Sequence, residues 1–149
     1  MEKLDFTKLS NEIERKLKSE QTIILATCAD NKVTARTMAP VNQGLSVLFS
    51  TNRNSVKIEQ IKQNQNIALA VGNMKIEAVA ELFGHPKEHA FFTAEYPKKF
   101  PQYGALYPDK PEDILVIARP IKISLYKYFG KPCEDVLDLE NNTAYRISL

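Results

Sequence analysis

The sequence predicts a mainly β protein carrying a few helices, folded as a small antiparallel barrel. Short apolar segments recur at regular spacing along the chain. Hairpin-type turns join most of them, at Asp30-Asn31, Asn42-Gln43-Gly44 and Gly72-Asn73. The repeated helical crossovers that a parallel doubly wound sheet requires are missing.

The first element is a helix over residues 5–18, because Phe6, Leu9, Ile13 and Leu17 recur at helical spacing and Asp5 or Thr7 is placed to cap it. Thr22 to Ala29 is a continuous apolar run rich in β-branched residues, which predicts a strand covered on both faces. Asp30-Asn31 turns the chain into a strand from Val33 to Val41, and Gly44 turns it again into Leu45–Thr51. Val56, Ile58 and Ile61 give a helix over 54–63 its apolar face. Strands follow at Ile67–Val71 and Ile76–Phe83. In the second, Ile76, Ala78, Ala80 and Leu82 alternate with Lys75, Glu77, Val79 and Glu81, so one face is buried and the other mostly wet.

Pro86 is suited to the first turn of a helix that ends before Pro97. Four prolines with Phe100, Tyr103 and Tyr107 make residues 97–111 an ordered loop. Ile114 to Phe129 reads as a strand with a kink or an edge at Pro120, and the tail as a last hairpin, Val136–Leu139 with Ala144–Leu149.

At 149 residues the chain is expected to form one domain over 1–149. A domain of that size buries roughly 70% of the surface its unfolded chain exposes. Twenty basic and 18 acidic residues give a formal charge of +2, too balanced for a general nucleic-acid binder. No apolar run approaches the roughly 18 residues of a membrane span. The segment Met1–Phe6 lacks the apolar stretch of a secretory signal, so a cytoplasmic location with Cys28 and Cys133 as reduced thiols is expected. Cys28, inside an apolar strand, is expected to be an inert core residue.

The stretch with chemical content runs from Val33 to Lys57. Arg36 shares a strand face with Thr34 and Met38, while the opposite face (Val33, Ala35, Thr37, Ala39, Val41) is small, mostly apolar and the better core candidate. Arg36 is then expected to point away from that core, towards a cleft, a partner or solvent. The next strand ends in hydroxyls at Ser50-Thr51, and Ser55 and Lys57 open the following helix. Free N–H groups at a helix start, hydroxyls and a lysine suit a phosphate. The same residues also suit a plain N-cap at Asn54 or Ser55 followed by an exposed lysine. His85 and His89 are four apart, but His85 precedes a proline and no third ligand is evident, so a capping-region histidine and a surface histidine are expected, with no metal site. No Gly-rich phosphate loop, nucleophile elbow or paired catalytic carboxylate motif occurs.

In order and spacing, the arginine strand, the strand ending Phe49-Ser50-Thr51, the sequence Ser55-x-Lys57 and the lead Asn64-x-Asn66 resemble the pyridoxamine 5′-phosphate oxidase-like, FMN-binding split-barrel superfamily. The resemblance is best over residues 20–84. It implies a six-stranded antiparallel Greek-key split barrel, dimeric, with two FMN molecules at the subunit interface. Arg36, Thr37 and Met38 match the family's strand arginine and the positions beside it that line the flavin. Ser50 and Thr51 match the strand end near the ribityl phosphate, and Ser55 and Lys57 the phosphate-binding helix start. The chain departs from the oxidase itself at Val56 and Val41, where basic residues are usual, at Ala78, where a glycine is common, and in its tail. Pyridoxamine phosphate is therefore a poor substrate candidate.

What this implies is an FMN-dependent oxidoreductase acting on an unidentified small molecule or electron acceptor, with no nucleic-acid or membrane partner. The alternatives are a non-catalytic protein holding flavin, or haem through His85 or His89, a deazaflavin in place of FMN, and a dimeric interaction domain without cofactor.

Overall fold

The computed structural model describes residues 1–106 and 110–149, the side chains of 104–106 excepted. Tyr107, one of the expected loop aromatics, lies outside the described residues. Among the described residues, ten strands and three α-helices follow in the order β1 (Glu2–Lys3), α1 (Phe6–Ser19), β2 (Ile23–Ala29), β3 (Lys32–Met38), β4 (Val41–Gln43), β5 (Ser46–Asn52), α2 (Val56–Gln63), β6 (Asn66–Val71), β7 (Met74–Gly84), α3 (Ala90–Lys99), β8 (Asp113–Tyr128), β9 (Pro132–Asp138) and β10 (Thr143–Ser148).

Every pairing is antiparallel. Six long strands run in the order β3-β2-β6-β7-β8-β5, the expected split barrel, with β3 and β5 at its two ends. The 16-residue β8 pairs with β7 along much of its length. Its first part also pairs with β5 and its second with β9, which extends the sheet through β10 to β1. The hand-over falls at Pro120. That residue opposes Ala78 while Lys122 opposes Glu77, so Ile121 is the extra residue of a bulge. A proline is accommodated there because the ladder is already interrupted.

The barrel interior is filled by alternate residues of the strands, including Leu25, Phe49, Leu69, Ile76, Val116 and Ile123. Helix α1 closes it with Leu9, Ile13 and Leu17, one residue per turn on one face, and Asp5 caps the helix by accepting from the Lys8 N–H at 2.8 Å. A second cluster lies on the outside of β4, β5 and β8, where α3 lays Phe92 and Tyr96 over Val41, Leu48, Leu115 and Ile117. Both faces of β5 are thus covered.

Four expectations are corrected. Strand β2 is covered on one face only within the chain: Leu25 is fully buried, whereas Ile24 on the other face is 42% exposed. Its outer face, with Ala26 and Cys28, continues through Ala35 and the 70%-exposed Val33 on β3 and through Ala68 and Ala70 on β6. Cys28 is therefore half-buried on an open face, and no core residue. The faces of β3 are the reverse of those expected, because Thr34, Arg36 and Met38 oppose the inward-facing Thr27, Leu25 and Ile23. Composition favoured the small apolar face as the interior, but register decides.

The third correction is that β3 stops at Met38. Ala39-Pro40 breaks it, and β4 turns to pair with β5. Lastly, the chain after Pro86 makes only a short 3-10 turn, Pro86–Glu88. It restarts as α3, which runs through Pro97 to Lys99. A proline so close to the C-terminal end costs one hydrogen bond in a turn that frays in any case.

Candidate functional site

Strand β5 passes into α2 through a turn set by Asn52. Its side chain accepts the Asn54 N–H at 2.7 Å and its carbonyl accepts the Ser55 N–H at 3.1 Å. Ser55 then occupies the N-cap position with extended backbone, yet its hydroxyl makes no capping bond. That oxygen is buried without a partner. The first-turn N–H groups of α2 are left uncapped by any side chain, which is what an anion site at a helix start requires.

Lys57, the second residue of this helix, is half-buried, and its ammonium donates to Thr51 Oγ1 at 2.8 Å. Arg36 approaches from β3. Its Nη1 donates to Thr27 Oγ1 at 2.8 Å and leans on the Leu25 carbonyl at 3.5 Å, and its Nη2 donates to Thr34 Oγ1. Burial draws the Lys57 amine below the usual lysine range, and the neighbouring Arg36 charge adds to that pull. Burial likewise lowers the Arg36 guanidinium. Neither cation has a carboxylate partner among the described residues. Two half-buried positive groups brought together without a counter-charge are costly alone and are relieved by an anion.

The structure thus places Thr51, Lys57 and Arg36 as neighbours, with Ser55 at the N-cap of the helix that carries Lys57, and Lys57 is half-buried where the plain reading has it exposed. Met38 is on the same face of β3 as Arg36, packed against the barrel core. Thr37 is on the opposite, open face beside Ile24. Ser50 points the other way from Thr51, sharing the outer side of β5 with Leu48, and its buried hydroxyl also has no partner. Sequence reasoning missed Gln60. It is buried on α2, accepts from Thr27 Oγ1 at 2.5 Å and from Thr34 Oγ1 at 2.7 Å, and lies three residues after Lys57, on the same helix face. The sequence itself shows only a glutamine next to Ile61 in an amphipathic helix, with nothing to mark it as buried.

The histidines are occupied as helix caps. His85 Nδ1 accepts the Lys87 N–H at 3.1 Å while Nε2 meets the Lys110 carbonyl at 2.9 Å. His89 Nδ1 accepts the Phe92 N–H at 3.2 Å, and its ring packs edge-on against Phe83. Among the described residues no cluster of three His, Cys, Asp or Glu side chains is arranged to hold a metal, and no helix is long and apolar enough to cross a membrane.

A family model described as pyridoxamine 5′-phosphate oxidase matches residues 9–125. No curated protein is detectably similar in sequence. Among solved structures, a protein related to general stress protein 26 of B. subtilis (pyridoxinephosphate oxidase family), from Clostridium acetobutylicum, superposes with a TM-score of 0.68. The two are 17% identical over 93% of this chain and 99% of that one. A pyridoxamine 5′-phosphate oxidase-related, FMN binding protein from Nostoc punctiforme gives a TM-score of 0.61 at 13% identity, over 96% of this chain and 94% of that one. A third, from Listeria innocua and described as a putative pyridoxamine 5′-phosphate oxidase, gives 0.67 at 17% identity, over 78% and 97%.

Proposed function

We propose that this chain, which belongs to the pyridoxamine 5′-phosphate oxidase family, binds FMN and serves as a flavin-dependent oxidoreductase in the cytoplasm. One observation carries the reading: α2 starts uncapped with a buried, unpartnered Ser55 hydroxyl, and in its first turn Lys57, with Arg36 as a charged neighbour, has no carboxylate partner among the described residues. A phosphate monoester fits that set. Lys57 and Arg36 supply charge, and Ser55, Thr51 and the first-turn N–H groups supply hydrogen bonds. Met38 continues the same strand face from Arg36 and offers an apolar edge to the rest of the cofactor.

A bound flavin supplies hydride and electron transfer, and the protein's part is to bind, orient and tune it. No side chain of the site is arranged as a general acid or base, which suits a small electron acceptor such as a nitroaromatic or a quinone. The test is the visible spectrum of the freshly purified protein, with any released chromophore weighed by mass spectrometry. FMN supports the reading. A deazaflavin would change the cofactor, a Soret band would replace flavin with haem, and a colourless protein that ignores added FMN would end the proposal.

Lys57→Ala is expected to weaken FMN binding by about 1.5–3 kcal/mol, roughly 10- to 100-fold, with little change in stability. The pH dependence has a definite sign. A phosphate needs the protonated amine, so FMN affinity should fall as pH rises through the lowered Lys57 value, below the ordinary lysine range near 10.5. The variant should lack that alkaline fall. Equal affinity for both proteins across the alkaline range would return Lys57 to a surface role.

The open face of β3, β2 and β6 supports a homodimer with the flavin at the interface. Ile24, Val33 and the alanines form a contiguous apolar surface that a second copy would cover. Sedimentation should show a dimer at micromolar concentration, with an interface above about 2,000 Å². A stable monomer would remove the shared site.

A further inference from the structure

We propose that Gln60 is a positioning residue, holding the Arg36 guanidinium in one orientation through the hydroxyls of Thr27 and Thr34; the use of that orientation, to present Arg36 to a phosphate beside Lys57, rests on the flavin reading above.

The argument is one of proton direction. The Lys32 carbonyl can only accept, and it lies 3.3 Å from Gln60 Nε2, so the amide side of Gln60 faces Lys32 and its oxygen faces the threonines. That oxygen can only accept, at 2.5 Å from Thr27 Oγ1 and 2.7 Å from Thr34 Oγ1. Each hydroxyl therefore spends its single proton on Gln60. The 3.2 Å contact between the two hydroxyls then carries no proton, and their lone pairs are left turned towards Arg36. A guanidinium can only donate, and its two Nη atoms each meet one of these oxygens. The chain of donors and acceptors is closed at both ends, so no member can turn without breaking it.

Gln60 and Thr27 are both more than nine-tenths buried, which removes water as a substitute partner. The arrangement occupies the inner edge of the guanidinium and leaves its remaining N–H donors for a ligand. It also couples the two cations mechanically. Gln60 and Lys57 are on one face of α2, so the helix that carries Lys57 also sets Arg36.

Two measurements test this on the full chain. In ligand-free protein, nitrogen NMR of the Arg36 side chain should show separate, slowly exchanging Nη resonances. Gln60→Leu should collapse them, while Gln60→Glu, which keeps an acceptor for both hydroxyls, should retain them. FMN titration should show Gln60→Leu weakened about tenfold, the scale of one lost hydrogen bond to a charged group. Thr27→Val with Thr34→Val should weaken it similarly, and adding Gln60→Leu to that pair should change nothing more, because the relay is already cut. Thr34→Val alone, on the edge strand, keeps the test open if Gln60→Leu does not fold. Parent-like Arg36 resonances with parent-like FMN affinity in Gln60→Leu or Thr34→Val would overturn the proposal, as would full additivity of the triple variant. If the parent binds no FMN, the flavin reading fails, and the ligand-free Arg36 spectrum still decides the role of Gln60.

Discussion

Asp135→Asn is expected to destabilise the fold by about 3 kcal/mol, the scale for stripping one partner from a buried ion pair. That corresponds to a fall in Tm of roughly 6–12 °C for a chain of this length. The carboxylate is 2% exposed and lies on β9, between β8 and β10. Arg146 from β10 reaches it with Nε at 2.6 Å and Nη2 at 3.0 Å, and Lys127 from β8 reaches it at 2.9 Å. Lys127 also pairs with Glu12 of α1 at 2.9 Å. The group thus ties three strands to the helix that closes the barrel. Asparagine would keep the volume but turn a donor towards two cations.

The sign of the pH effect follows from the same contacts. Burial alone would raise the Asp135 pKa, yet the hydrogen bonds from Arg146 and Lys127 hold the carboxyl below its ordinary value. A depressed folded value means the contribution to stability is complete above the unfolded carboxyl value, near pH 4, and is lost as pH falls through the folded one. The stability gap between parent and variant, measured by urea unfolding, should be constant from about pH 5 to 7 and close below about pH 4. A gap that persists unchanged into acid would mean that the charge plays no part. Glu12→Gln, at the exposed end of the network, should cost less than about 1 kcal/mol.

That network was invisible in the sequence, where Asp135, Lys127 and Arg146 are ordinary charged residues on strands. What the sequence does display is whatever depends on local pattern. Phe6, Leu9, Ile13 and Leu17 mark α1, the alternation from Lys75 to Leu82 marks β7, and Asp30-Asn31, with both residues at positive φ (51° and 61°), marks the tight hairpin between β2 and β3. The split barrel itself was legible mainly through the order of short motifs. Which face of β3 turns inward was not, because both faces are small or amphipathic and only the register with β2 decides. The candidate site divides the same way. Lys57 and Ser55 were readable from a helix start, whereas Gln60 needs Thr27 and Thr34 from two strands before it has a role.

The corrected direction of Arg36 sharpens what its substitution should do. It is on the inward-facing side of β3, half-buried, with two hydroxyls and a carbonyl holding one edge and no carboxylate partner among the described residues. An unpaired cation in such a place gains little for the empty protein, and burial already lowers its pKa. Arg36→Ala should therefore leave the stability of the ligand-free protein within about 1 kcal/mol of the parent, since a lost hydrogen-bond set is offset by relief of the buried charge. With FMN the balance reverses. Removing a charged, forked donor from a phosphate should cost about 3–4 kcal/mol, roughly 10²- to 10³-fold in Kd. Arg36→Lys keeps the charge but loses the planar fork, so it cannot meet both threonine oxygens and a ligand at once, and its loss should fall between parent and alanine. FMN titration of the three proteins, with their unfolding curves measured in the absence of ligand, gives both numbers. Parent-like FMN affinity in both variants would take Arg36 out of the site. A large loss of ligand-free stability in Arg36→Ala would make the arginine a structural brace for β2 and β3, and the anion site would then rest on Lys57 and the start of α2.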